Sequence, residues 1–334
     1  MRKAAAIAGT QSHTMLLVII IIVASVFTPT FLSVGNISNI IVQQIPYHSL
    51  MAFGMTIAIL TKGIDLSIGA NMALSGCVAG YFITNGQIFP GVALGLLTGV
   101  LIGLLNGLMI TKIRVPPFIA TYCMDWVVKG IAYVIMGGMT FNAFPEAFRA
   151  ISTGTLLGVP SLLWILLFIF ILLVLLLHKT TFGRNVYVLG NNWKAARLSG
   201  VDTDRIICTV YVINGILAAV AGLLTIARMN AADAAYAEGW SIKLIAAVLI
   251  GGTPMIGGKG SIVRTLVGVI IITVINNCLN MLNVSSLWQQ FVVGMVILLS
   301  IFISLMSDKF SIWAENADKK EFQKSIQGGD AMGV

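Results

Sequence analysis

Charged residues are scarce in this sequence: only 10% of its 334 residues are Asp, Glu, Lys or Arg, whereas 58% are hydrophobic. Soluble globular domains carry about a quarter charged residues, so this composition excludes a soluble enzyme or a nucleic-acid-binding domain. Apolar runs such as "MLLVIIIIVASVF" and "LLWILLFIFILLVLLL" approach the ~20 residues that a helix needs to cross a bilayer. We therefore predict an all-α, polytopic membrane protein with one transmembrane domain over residues 1–334.

Residues that form metal sites, disulfides or catalytic centres are also few. The four cysteines and three histidines stand at unrelated spacings, so they predict neither a metal site nor a disulfide framework: Cys77, Cys123, Cys208, Cys278, His13, His48 and His178. No metalloprotease motif and no nucleophile–base arrangement is present. We expect no enzymatic activity in this chain, no bound cofactor and no metal.

The glycine-rich stretch "GGTPMIGGKGS" at 251–261 resembles a phosphate-binding loop but departs from it at two positions. Such a loop needs G-x-x-x-x-G-K-[ST], because backbone N–H groups, a lysine and a hydroxyl act together on phosphates and magnesium. Thr253 stands where the first glycine belongs, and Gly260 follows Lys259 where a hydroxyl residue is required. The stretch therefore predicts a bend between two helices.

Turn signals divide the chain into about ten predicted spans, at 15–33, 38–60, 68–85, 90–111, 118–138, 160–178, 205–227, 242–252, 262–281 and 287–306. The eighth is too short to cross as an ordinary helix. The first follows Arg2 and Lys3 without a small-residue cleavage pattern, so we expect it to be retained.

Lysine and arginine predict the orientation, because they accumulate in cytoplasmic loops. Sixteen of the twenty basic residues fall on the side of the N-terminus, which makes both termini and the tail at 307–334 cytoplasmic. Arg149, Arg228 and Lys243 fall on the other side, and Lys129 lies within a span. The net charge of +8 thus reflects topology and requires no nucleic acid.

The longest predicted internal loop, at 179–204, contains a short helix. Asn192 is a suitable N-cap, a helix runs through residues 194–198, and Gly200 can adopt the left-handed conformation that ends it. Its small alanines allow close approach to another protein. A solvated connector is the plain alternative.

Several motifs in this order resemble one family. "GIDLSIGANMALSG", "VPPFIATY", "GRNVYVLGNNWKAARLSGV", "IAAVLIGGTPMIGGKGSIVRTLVGV" and "NNCLNMLNVSSLWQQFVVG" are similar to the permease subunits of bacterial ABC importers of the ribose, xylose and galactoside type. The resemblance implies a subunit of the inner membrane that forms the translocation path for a monosaccharide or related polyol. It also implies four partners: a cytoplasmic ABC ATPase, a second permease copy or a paralogue, a periplasmic or lipid-anchored sugar-binding protein, and membrane lipid.

The resemblance assigns roles to individual residues. The segment that couples the permease to the ATPase comprises Gly190, Asn191, Asn192, Ala195, Ala196, Arg197 and Gly200. A path for an uncharged sugar needs hydrogen-bonding groups and aromatic faces, so its candidates are polar or aromatic residues within or next to the spans: Asp65, Ser67, Asn106, Thr121, Asp125, Trp126, Asn276, Asn277 and Asn280. As alternatives, Asp65 and Ser67 cap a helix, and the asparagines join helices to one another.

Two segments depart from the family pattern. Asp125 lies four residues before the basic Lys129, so the two form either a neutralising pair or, with Trp126, part of an unusual path. Ser241 and Lys243 replace an acidic stretch that we expect near the outer surface, where the binding protein docks. Arg149 and Arg228 are docking candidates there, or ordinary snorkelling side chains.

Two other function classes remain open. A self-sufficient secondary transporter for a small polar solute needs an intramembrane ion relay, for which only Asp125 and Lys129 qualify. A membrane-embedded enzyme needs a catalytic constellation, and none is found.

Overall fold

The computed structural model describes residues 17–236, 238–285, 287–292, 294, 295, 298 and 302. These residues are mostly helical, so the predicted all-α membrane fold is confirmed. Five of the described helices are long and apolar enough to span a membrane: Ile88–Thr111, Pro117–Met136, Ser161–Lys179, Thr203–Met229 and Ile262–Met281. Part of the predicted span at 287–306 and the whole predicted tail at 307–334 lie outside the described residues.

The described helices, in chain order, are α1 (Leu17–Phe27), α2 (Val34–Ser38), α3 (Ile45–Leu60), α4 (Ile68–Thr84), α5 (Ile88–Thr111), α6 (Pro117–Met136), α7 (Glu146–Thr153), α8 (Ser161–Lys179), α9 (Thr181–Asn191), α10 (Trp193–Leu198), α11 (Thr203–Met229), α12 (Trp240–Ile250) and α13 (Ile262–Met281). A π-helix at Asn39–Gln44 joins α2 to α3. Residues 287–292 are also helical. Two antiparallel pairs of two-residue strands are present among the described residues: β1 (Phe141–Asn142) with β4 (Ala231–Ala232), and β2 (Thr155–Leu156) with β3 (Val159–Pro160).

The first predicted span, 15–33, is wrong after residue 27. Helix α1 ends at Phe27, and residues 28–33 form turns. Pro29 explains this end, because proline has no backbone N–H and disfavours helical geometry in the residue before it. The following span starts earlier than the predicted residue 38, since α2 begins at Val34.

Helix α11 occupies the centre of the bundle and packs against α3, α4 and α5. Glycines spaced four apart on α5 allow its close packing: Gly99, Gly103 and Gly107 approach α11, and Gly91 and Gly95 approach α4. A Cβ added at Gly107 would lie 2.9 Å from the Cα of Cys208, and one at Gly91 would lie 2.8 Å from the carbonyl oxygen of Ala79. The missing side chains therefore let the backbones of α4, α5 and α11 approach closely.

The bundle has two ends that carry different elements. At one end, which we call the α10 face, lie α9, α10, the end of α3 and the bend at 251–261 between α12 and α13. At the other, the α7 face, β1 pairs with β4 and Gly80 contacts Ala232 and Phe144. Helix α7 packs there against α11 and α8.

The predicted eighth span is short, as expected. Helix α12 has eleven residues, about 16 Å of helix, against a hydrocarbon thickness of ~30 Å. Near its start, the Oγ of Ser241 donates a 2.7 Å hydrogen bond to the carbonyl of Leu66 in the α3–α4 connection. This hydrogen bond places the start of α12 beside Asp65 and Ser67, which are buried. The expected position of the segment near the outer surface stays a prediction.

A single methyl group on the glycine stripe of α5 tests this packing. In Gly103→Ala the new Cβ would press on the carbonyl oxygen of Tyr211 and lie 2.9 Å from the Cα of Val212. We expect the variant to lose about 1–3 kcal/mol of stability, seen as a lower thermal unfolding midpoint of the detergent-purified protein.

Gly130→Ala is the matched control, because nothing lies within 4 Å of its added Cβ. That substitution is expected to leave the midpoint unchanged or to raise it through helix propensity. Equal midpoints for the two variants would show that the stripe does not set the distance between α5 and α11.

Candidate functional site

Three chain segments meet at the α10 face. The N–H of Gly258 donates a 2.9 Å hydrogen bond to the carbonyl of Leu60 at the end of α3. The Nδ2 of Asn191 donates to the carbonyl of Gly258 at 3.3 Å, and the Oη of Tyr187 donates to the carbonyl of Gly260 at 3.1 Å. We call this arrangement the junction: it joins α3, α9 and the glycine-rich bend.

Gly190 makes the close approach at the junction possible. A Cβ at this position would collide with the carbonyl oxygen of Leu60 and lie 2.5 Å from the N of Gly258. Gly258 itself has φ +74°, a conformation that suits glycine and strains other residues. Two glycines distant in the sequence are therefore needed at one contact.

Helix α10 follows directly and has the predicted caps. The Oδ1 of Asn192 accepts a 3.1 Å hydrogen bond from the N–H of Ala195, and Gly200 has φ +81°. Ala196 is buried, whereas Ala195 and Arg197 are exposed and the guanidinium of Arg197 lies 5.5 Å from the ring centroid of Trp193. Leu198 is 90% exposed, so α10 presents an apolar side chain with no partner among the described residues. The preceding helix α9 was not predicted.

Four of the predicted path residues belong to one buried network beside the α3–α4 connection. One carboxylate oxygen of Asp65 accepts hydrogen bonds from the Oγ and N–H of Ser67 at 2.6 and 2.9 Å. The Nδ2 of Asn106 donates to the Oγ of Ser67 at 2.8 Å, and the Oγ1 of Thr121 donates to the carbonyl of Ile64 at 3.0 Å. All four predicted side chains are at most 2% exposed.

Asn214 is a member of this network that sequence reasoning missed. Its Nδ2 donates a 2.6 Å hydrogen bond to the second carboxylate oxygen of Asp65. An asparagine in the middle of the apolar α11 was the available signal. The network as built joins α4, α5, α6 and α11 around the α3–α4 connection, and its role in a path stays a prediction.

Asp125 and Lys129 form an ion pair on α6, with Nζ 2.8 Å from the carboxylate. Trp126 is 62% exposed next to them, and Phe118, Tyr122 and Trp126 form a row of rings with successive centroids 6.2 and 6.4 Å apart. The side chain of Lys129 is 26% exposed. Charged groups within spans face a bundle interior or a water-filled cavity, and this mostly buried pair lies beside the exposed row of rings on α6.

The three asparagines of α13 are used in different ways. The Nδ2 of Asn276 donates to the carbonyl of Ile272 at 2.8 Å, and Asn277 exchanges hydrogen bonds of 2.9 and 3.0 Å with Asn36. Asn280 is exposed and accepts a 2.8 Å hydrogen bond from Gln289. The structure does not bring these residues into the Asp65 network.

The predicted docking residues lie at the α7 face. Arg149 is on α7 and Arg228 is in the last turn of α11, and both are half-buried. Among the described residues, no group of three or more His, Cys, Asp or Glu could hold a metal ion, and the four cysteines are free thiols.

The amino-acid sequence also matches known proteins along most of its length. A family model described as "branched-chain amino acid transport system / permease component" matches residues 36–301, most of the chain. The chain belongs to this permease family.

Several of the relatives that it resembles are sugar permeases by name. It is 39% identical to the ribose import permease protein of Escherichia coli over 88% of this chain and 92% of that protein. It is 41% identical to the ribose import permease protein of Bacillus subtilis over 86% and 90%. The L-arabinose transport system permease protein of Escherichia coli is 31% identical over 87% and 89%. No solved structure matches the chain significantly.

Substitutions at the α6 ion pair test whether Asp125 neutralises the charge of Lys129 within the bundle. Asp125→Asn leaves the ammonium of Lys129 unpaired, so we expect a lower unfolding midpoint and less folded permease in the membrane. Adding Lys129→Met removes the unpaired charge and is expected to recover most of that loss. A double variant that is as unstable as the sum of the two single variants would contradict a neutralising pair.

Proposed function

We propose that this chain is the membrane-spanning permease subunit of an ATP-driven ABC importer for a monosaccharide or related polyol. Membership of the permease family supports the transport role. The sugar class is supported by the ribose and arabinose permeases that cover most of the chain, since the family description itself names amino acids. ATP hydrolysis belongs to a separate ATPase subunit.

The observation that carries this proposal is the arrangement of α10 on the junction. The six-residue helix α10, with its exposed Leu198, directly follows α9. Helix α9 is hydrogen-bonded to the α12–α13 bend, and the bend is hydrogen-bonded to the end of α3. A helix held in this way suits insertion into the cleft of an ATPase. A solvated connector would not need two glycines at one closely packed backbone contact.

The mechanism uses the same contacts. Closure of two ATPase subunits on ATP would push α10, and the junction would pass that displacement to α3, α12 and α13 together. The path between two permease subunits, either two copies or a copy and a paralogue, would then open alternately to each side. The exposed row of Phe118, Tyr122 and Trp126 would supply aromatic surface to a sugar along that path.

The proposed orientation follows the distribution of basic residues. The α10 face would be cytoplasmic, together with both termini, in a single transmembrane domain of the bacterial inner membrane surrounded by lipid. The α7 face would then be external. Arg149 and Arg228 would meet acidic residues of a periplasmic or lipid-anchored sugar-binding protein.

Reconstitution tests the proposal as a whole. Proteoliposomes with the permease and its partner ATPase and binding protein should take up at least one of D-ribose, L-arabinose, D-xylose and D-galactose, and only with ATP. Liposomes with the permease alone should take up none of them. Uptake by the permease alone, down a gradient or with protons, would instead support a secondary transporter.

A surface substitution tests the role of α10. Leu198→Asp places a charge on a side chain that is 90% exposed, so the permease should fold normally but lose the ATPase during co-purification, with uptake reduced at least roughly tenfold.

Leu157→Asp is the matched control, because Leu157 is 85% exposed in the β2–β3 turn, next to α7. This variant should retain the ATPase. Full co-purification of the ATPase with Leu198→Asp would place the docking surface elsewhere.

A further inference from the structure

A second feature, at the α7 face, is not used by the coupling mechanism. A cavity of about 270 Å³ lies between the start of α3, α4, the end of α11 and the start of α12. Its walls include Gln43, Gln44, Tyr47, His48, Trp240 and Asn280, and we call it the Trp240 cavity. Asn280 is exposed and Gln43 and Gln44 are half-buried, so the cavity reaches the surface of the bundle.

The size of the cavity suits a small solute. Pockets for drug-sized ligands measure ≈ 300–1,000 Å³, so 270 Å³ accommodates a smaller molecule such as a monosaccharide. A membrane protein that only packs its helices would fill such a space with apolar side chains.

The chemistry of the walls indicates a neutral, hydroxyl-rich ligand. None of the residues that line the cavity carries a carboxylate, an ammonium or a guanidinium. Each side-chain amide of Gln43, Gln44 and Asn280 offers both a donor and an acceptor, as every sugar hydroxyl does. Tyr47 and Trp240 add apolar ring surface together with a polar atom each.

His48 supplies an independent sign that the cavity binds a ligand. Its side chain is 5% exposed, and its Nδ1 has no hydrogen-bond partner among the described residues. Its ring stacks on Trp240, with centroids 3.5 Å apart and an angle of 22° between the planes. Buried polar nitrogens are nearly always paired, so a group in the cavity that hydrogen-bonds to His48 would satisfy it.

The cavity also lies at the start of the helix that ends at the junction. Helix α12 begins at Trp240 and ends at Ile250, just before the glycine-rich bend. Next to Trp240, the side chain of Ser241 is hydrogen-bonded to the carbonyl of Leu66, beside the Asp65 network. The ammonium of Lys243 lies 4.7 Å from the ring centroid of Trp240 and fixes the indole from within α12. A ligand against Trp240 therefore contacts the element that α9 and α10 act on from the other face.

We infer that the Trp240 cavity is a binding site for one neutral monosaccharide or polyol, recognised by His48 and the surrounding amides. This inference rests on the proposed import function, because that function supplies the sugar. The site would receive the sugar from the external side. Movement of α12 during the ATP cycle would then shift Trp240 and release the sugar.

Ligand protection tests the site without transport. In a variant whose four native cysteines are replaced, Met229→Cys places a thiol in the cavity wall, and sugars should slow its reaction with N-ethylmaleimide severalfold. Met139→Cys is the control, because Met139 is 69% exposed and lies outside the cavity. Its labelling rate should not change with D-ribose, L-arabinose, D-xylose or D-galactose.

Two substitutions at His48 separate hydrogen bonding from packing. His48→Phe keeps a ring against Trp240 but removes the nitrogen, and should raise the KM for uptake by roughly tenfold while kcat changes less. His48→Gln restores a donor and an acceptor and should recover much of the affinity. Trp164→Leu, which removes an exposed indole outside the cavity, should leave KM unchanged.

The outcomes distinguish the two proposals. If the complete importer takes up none of these sugars with ATP, the proposed function is wrong. Protection of Met229→Cys would still show whether the cavity binds a sugar. Uptake by the wild-type importer without protection, or with an unchanged KM in His48→Phe, would overturn the cavity as the sugar site. Protection by D-gluconate and by none of the neutral sugars would overturn the assignment of a neutral ligand.

Discussion

The hydrogen bond between the N–H of Gly258 and the carbonyl of Leu60, with Gly190 packed against both, is the contact on which the rest of the molecule depends. It holds the end of α3, the end of α9 and the α12–α13 bend at one point. Without Cβ atoms at these two glycines the three backbones meet directly. Helix α10 is therefore connected through the junction to α3, α12 and α13 in the bundle.

This contact explains the structural role of the glycine-rich stretch at 251–261. Its resemblance to a phosphate-binding loop is superficial, because its N–H and C=O groups are used within the permease, by Leu60, Asn191 and Tyr187. The short helix α12 leads from it to Trp240, which lines the cavity. One short helix thus connects the junction at the α10 face with the Trp240 cavity, which lies toward the α7 face.

Local chemistry made much of the fold predictable. Apolar runs indicate the spans, Asn192 and Gly200 indicate the ends of α10, and the short segment before Gly251 indicates a helix that does not cross. The early end of α1 could also have been predicted, since Pro29 is visible in the sequence. Each of these signals acts within a few residues of the element that it shapes.

Contacts between distant segments could not be predicted in the same way. The pairing of Asn214 with Asp65 and of Asn36 with Asn277 depends on which helix faces meet, and apolar helices without a clear polar face do not reveal that. Gly190 and Gly258 each look like ordinary glycines until they are brought together. The Trp240 cavity combines residues from five parts of the chain, so no short motif indicates it.

The central claim is that α9, the bend and the end of α3 move as one body when ATP binds. Electron paramagnetic resonance on the assembled importer measures this directly, with spin labels at Val188 on α9 and Ile256 in the bend, which are 45% and 69% exposed. The account predicts the same Val188–Ile256 distance within a chain with and without ATP, while a label at Val188 alone reports a changed distance between the two permease subunits. A change in the Val188–Ile256 distance on ATP binding would contradict it.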